Sequence, residues 1–179
     1  MKSAQFALPL RLLHWLMAPA LLAMLLIGVG LTTTVSSWHT TLLTLHKPLG
    51  LGLLALSIVR LALRLIYGAP ARRPDAMPVM IHLAASASHV LMYACMLAMP
   101  VIGWSMLSAG GFPLPQLFGL ALPAMGVPSL AHYVFLRSLH TYVGELFYLA
   151  ACGHILAAAT HALVLRDGVF DAIALRWKD

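Results

Sequence analysis

Residues 140–154 read HTYVGELFYLAACGH, two histidines fourteen positions apart with one glutamate between them and otherwise side chains suited to lipid. On an α-helix each residue turns 100° and rises 1.5 Å, so fourteen residues fall about 40° short of four full turns and rise roughly 21 Å. His140 and His154 therefore share one helix face at two depths. A single metal ion cannot bridge that distance, whereas two stacked cofactors can. Ionisable side chains inside hydrocarbon are costly and by default mark function. Glu145 lies about 140° round the helix from His140 and opposite His154, so it faces neither histidine's partner.

The rest of the chain supplies the membrane. Its 179 residues are 61% apolar and 9% charged, against about half and a quarter in soluble domains. A span takes roughly 20 residues, and four stretches are long enough: about Leu10–Leu31, Leu42–Tyr67, Val79–Leu107 and Leu139–Leu165. The expectation is one all-α domain over residues 1–179, an integral-membrane four-helix bundle. The first stretch has a positive start like a signal peptide, but its apolar run is too long and no small-x-small cleavage site follows. Cys95 and Cys152 both fall in apolar stretches, which argues against a disulfide framework. The absence of C-x-x-C-H excludes covalent c-type haem attachment.

Orientation follows from the cations. If the spans alternate, Lys2, Arg11, Arg60, Arg64, Arg72, Arg73, Arg166, Arg176 and Lys178 lie on one side, and only Lys47 and Arg137 lie on the other. The positive-inside rule then places both termini in the cytoplasm. In a membrane protein, the net charge of +6 reflects this distribution and not nucleic-acid binding. The segment GAPARRPDAMP (68–78) reads as a short cytoplasmic loop. Residues 108–137 read as one long outer loop, too broken by proline to span and expected to cap the bundle along the membrane surface.

With depths assigned, the histidines pair. His46 and His140 lie level near the outer side; His14 and His154 lie in the inner half. Two bis-imidazole sites, one above the other, suit two non-covalent b-type haems. With both axial positions filled, neither iron is open to oxygen, and such centres pass electrons. Arg60 lies fourteen residues after His46, on the same face, with Arg64 one turn on. An inward arginine needs an anion, and haem propionates would supply it. Gly50 and Gly144, each four residues after an outer histidine, and Gly28, fourteen after His14, leave room for a flat macrocycle. The plainer readings are histidines bonding across helices, arginines snorkelling to a helix end, and glycines as ordinary small packing contacts.

The motifs RLLHWLMA (11–18), LHKPLG (45–50) with VRLALR (59–64), ASHVLMYACMLAMPVIGW (87–104) and SLHTYVGELFYLAACGHILAAATH (138–161) resemble the bacterial cytochrome b561 family of di-haem inner-membrane proteins, nearly end to end. The resemblance implies that His14, His46, His140 and His154 are axial ligands, the first and last to the inner iron and the middle two to the outer. It also implies electron exchange with the quinone pool, ubiquinone included. Some members of the family are assigned as superoxide:ubiquinone oxidoreductases. His89 and His161 belong to the family pattern and lie toward the cytoplasm, where reducing a quinone would need protons; they are otherwise helix-end anchors. His82 reads as interfacial, and His39 and His132 as outer-loop residues. Lys47 and Arg137 flank the outer ligands and could steer a small anionic donor such as superoxide, or bind propionates or lipid phosphate. A rival reading makes the chain the haem-bearing anchor of a larger dehydrogenase or hydrogenase, working with a redox partner protein. A metal-ion transporter would need ligands clustered at one depth, which this pattern does not offer.

Overall fold

Four long helices carry the apolar stretches: α1 (Leu8–Thr33), α2 (Trp38–Tyr67), α3 (Val79–Ala109) and α4 (Leu130–Ala159). The computed structural model describes residues 5–70, 79–117 and 120–175. Lys2, Arg72, Arg73, Arg176 and Lys178, and most of the loop at 68–78, lie outside the described residues. Each helix, with α4 continued to Leu165, is long and apolar enough to cross a membrane. Many large apolar side chains point away from the bundle, among them Leu65, Val90 and Leu149. In water that surface would be a liability; in lipid it is the solvent-matched side.

α1 to α3 begin and end within a few residues of expectation, while α4 starts nine residues before it. Ser129 caps it, its hydroxyl accepting from the His132 amide at 3.5 Å, and Pro128 precedes the cap. Hydropathy marks where lipid begins, and a capped helix runs on past that level. The outer loop is correspondingly shorter than expected and is fastened down. Gln116–Leu117 (β1) and Leu120–Ala121 (β2) pair antiparallel. The Trp104 indole donates to the Pro123 carbonyl at 2.9 Å, and the Met125 amide to the Ser108 hydroxyl at 3.1 Å. The Ser129 amide closes the loop on the Ala109 carbonyl at 2.8 Å.

α1 packs on α2, α2 on α3 and α3 on α4, while α4 barely touches α1. A seam is left between α4 and the α1/α2 pair. Met17, Cys95, Met96 and Phe147 form the buried core at mid-depth, level with the middle of α4, and both cysteines are free thiols. Beyond α4 the chain makes a π-helical turn, Thr160–Leu165. It then reverses through Arg166 and Gly168, whose φ values are 50° and 79°. A short 3₁₀ turn, Phe170–Ala172, follows. This tail clasps the start of α1: the Phe6 amide donates to the Ala172 carbonyl at 3.0 Å and the Trp15 indole to the Ile173 carbonyl at 2.9 Å. The two chain ends are thus tied together at one end of the bundle, called here the terminal end; the other is the loop end.

Candidate functional site

The seam beside α4 is bridged by imidazoles at two levels. At the loop end, His46 from α2 faces His140 from α4, with ring centroids 6.2 Å apart and planes at 70°. At the terminal end, His14 from α1 faces His154 from α4, at 6.4 Å and 49°. These are the pairs expected from depth. Neither is a packing contact between neighbouring helices, because α4 stands off from both α1 and α2.

The spacing has a chemical meaning. A first-row metal binds an imidazole nitrogen at about 2.0 Å. With ring C–N bonds of about 1.33 Å, that nitrogen sits about 1.1 Å from the centroid. Two rings on opposite sides of one metal should then lie about 6.2 Å apart, centroid to centroid. His14 and His46 each bury an Nδ1 that has no hydrogen-bond partner, the kind of orphan that asks for one. Among the described residues no three His, Cys, Asp or Glu side chains form a group that could hold a metal ion. Two protein nitrogens are too few for a tetrahedral ion. They suffice where a macrocycle brings its own equatorial ligands, so the residues present fit haem.

Glycines border the loop-end pair. A Cβ on Gly28 would come 4.0 Å from His46 Cε1. At Gly50 and Gly144 it would meet the methyl ends of Met24 and Met99, at 3.2 and 3.3 Å. Gly103 is the residue that reading the sequence missed: its Cβ would press on His140 Cε1 at 3.2 Å. Its signal was the PVIGW that ends the α3 motif.

The terminal-end pair has charged and titratable company. His89 sits edge-on to His154 at 5.5 Å, so the level holds three imidazoles. The Arg60 guanidinium lies 5.6 Å from the Tyr93 ring centre, its Nε buried without a hydrogen-bond partner. It is near enough for its charge to act on both His14 and His154. Arg64 stacks over Phe6 at 5.2 Å. In the π-helical turn, His161 Nδ1 lies 2.6 Å from Asp167 Oδ2. Asp167 Oδ1 accepts from the Val169 amide at 3.1 Å. Partial burial pushes the Asp167 carboxyl up, but the Val169 amide and His161 outweigh it and hold the group below its ordinary value. Asp167 was not singled out from the sequence, because a reversal of the chain brings it back onto His161.

At the loop end, Lys47 Nζ donates to the Pro113 carbonyl at 3.2 Å and lines an open groove with Thr40, Thr44 and Gln116. Arg137 donates to the Tyr133 hydroxyl at 3.3 Å. His39 and His132, expected in loops, lie instead in the first turns of α2 and α4. Glu145 is exposed on the outward side of α4 and faces neither pair.

Comparison with known proteins agrees with this architecture. A family model described as prokaryotic cytochrome b561 matches residues 5–174. "Cytochrome b561 homolog 2" of Escherichia coli (strain K12) is 26% identical over 156 residues, covering 86% of this chain and 82% of its own length. "Probable superoxide oxidase CybB" of Yersinia pestis is 28% identical over 131 residues, 73% of each chain.

Proposed function

The chain belongs to the prokaryotic cytochrome b561 family, and from that premise we propose that it carries electrons across the bacterial inner membrane through two b-type haems, from a periplasmic-side donor to the quinone pool. Membership makes it a multi-pass inner-membrane electron-transfer protein, and the family implies b-type haem. The number of haems, the donor and the acceptor are the proposal. The observation that carries it is the pair of imidazole spacings, 6.2 and 6.4 Å, against the 6.2 Å or so that two rings on one metal require.

When bound, the haems would supply reversible one-electron chemistry. The protein's own groups do the rest. His46 and His140 would hold the loop-end group, and His14 and His154 the terminal-end one. Arg60 and Arg64 would neutralise propionate carboxylates at the terminal end, where a buried guanidinium needs an anion. By the distribution of lysine and arginine, the terminal end and both termini are cytoplasmic. At the opposite mouth, Lys47 and Arg137 would draw in an anionic donor. Superoxide is the donor best supported, through the relative named as a superoxide oxidase. Reduction of a quinone takes two electrons and two protons. His161 would deliver protons, its Nδ1–H held by Asp167 so that Nε2 is presented outward. His89, beyond His154, would line the quinone's approach.

The test is a reduced-minus-oxidised visible spectrum of the purified protein with haem counted per chain. Two low-spin b-type haems are expected, and a colourless protein would end the proposal.

A further inference from the structure

Glu145 has no role in either histidine pair, and its position calls for an explanation. It is the only acidic residue within the four spans. It lies five residues after His140 and nine before His154, hence near the middle of the bilayer. The buried side chains of α4 are Phe147 and Ala151, and Glu145 is exposed on the opposite side. At 100° per residue, the same outward face carries Tyr142 at about 60° from Glu145, Leu149 at 40° and Cys152 at 20°. Tyr142 and Leu149 are 69% and 68% exposed. Among the described residues, neither Glu145 nor Tyr142 has a hydrogen-bond or ion-pair partner. An unpaired carboxyl turned toward hydrocarbon is expensive unless protein covers it, and the Tyr142 phenol, nearer the outer side on the same face, is an unpaired donor one turn away.

We propose that a second copy of this chain covers them. Two copies in one membrane share one orientation, so a twofold axis along the membrane normal sets α4 against α4 in parallel, with matching residues at matching depth. The contact is then isologous: each residue meets its complement on the other copy. Tyr142 and Glu145 lie one helical turn apart, about 4.5 Å in depth, within side-chain reach. The Tyr142 hydroxyl of each copy donates to the Glu145 carboxyl of the other. One face therefore supplies both the donor and the acceptor, which a copy of itself satisfies twice over. Lower on the helix, about 80° round from Glu145 and 20° from Tyr142, a Cβ at Gly153 would meet nothing within 4 Å. A glycine there permits close approach of the two backbones. The pairing does not depend on the donor, the acceptor or the number of haems.

The experiment counts copies of the full-length, cofactor-loaded protein in liposomes by stepwise photobleaching of a tag dye, over a series of lipid dilutions. Two-step bleaching is expected for the parent chain. Tyr142→Phe and Glu145→Gln should each weaken pairing by about tenfold. Co-expressed together, they retain one of the two symmetric bonds in the mixed dimer and should fall between the parent and either variant. Glu145→Leu suits lipid, so it should lose pairing while keeping the parent's absorbance spectrum. If it fails to fold, Tyr142→Phe still decides. Single-step bleaching of the parent at every dilution overturns the proposal, as does pairing that neither substitution weakens. A different polypeptide found in stoichiometric amount with the chain in native-membrane extracts, and lost on Glu145→Leu, overturns it as well.

Discussion

The two ends of the seam hold the same pair of rings at nearly the same spacing, 6.2 Å at the loop end and 6.4 Å at the terminal end, yet almost nothing else about them matches. The loop-end pair is bordered by glycines and roofed by a fastened loop, with its nearby cations at the mouth. The terminal-end pair has a third imidazole, a buried guanidinium and an imidazole–carboxylate couple within two helical turns. Like spacing supports like ligation. The unlike surroundings suit a division of labour: taking one electron from a diffusing anion needs only a positive approach, whereas converting a quinone needs groups that hold protons and counter-charge.

The largest effect should come from removing one ring of a pair. His46→Ala is expected to lower the haem count from two to one while sparing the terminal-end group, and His154→Ala the reverse. Pyridine-haemochrome quantification with redox titration checks this. Loss of both groups from either variant would show that the two levels are not independent. Next comes the chemistry assigned to one end only. His161→Ala should slow quinone-linked turnover by about a hundredfold with two haems still bound, as stopped-flow reduction of the quinone would read. An equal slowing of electron uptake by the haems from the periplasmic-side donor would remove the division of labour.

A smaller effect belongs to the mouth. Lys47→Gln should lower the rate of electron uptake from an anionic donor severalfold at low salt, and the difference should vanish at high ionic strength. Uptake that is unchanged at low salt would leave Lys47 as a clamp on the outer loop, through Pro113.

How much of this the sequence carried depended on whether the signal was periodic. The four spans and the two levels of histidine were legible because helix geometry converts residue spacing directly into depth and direction; fourteen residues from His140 to His154 needed no tertiary knowledge. The start of α4 was not legible in the same way, since the cue used was hydropathy while the helix is set by the cap at Ser129. Gly103 was missed because its partner, His140, lies on another helix. Asp167 was missed because its contact with His161 depends on the left-handed conformation of Arg166. Contacts along one helix can be counted, whereas contacts across helices or through a reversal have to be seen.

The smallest expected effect tests that unread contact. Asp167→Asn keeps the shape of the side chain and removes its charge. Both partners are partly exposed, their side chains 18% and 30% accessible, so solvent screening limits the loss of stability at pH 7 to less than about 1 kcal/mol. The sign of the pH dependence follows from the lowered value of the folded carboxyl. A group whose value falls on folding contributes fully above its unfolded value, here 3.8, and its contribution fades as the pH drops through the lowered folded value. Parent and variant should therefore differ in melting midpoint at about pH 5 and converge as the pH falls through the lowered value of the folded carboxyl. A gap that widened below the unfolded value, 3.8, would mean that Asp167 is held protonated in the folded chain, and the carboxylate could not then be what fixes the proton on His161 Nδ1.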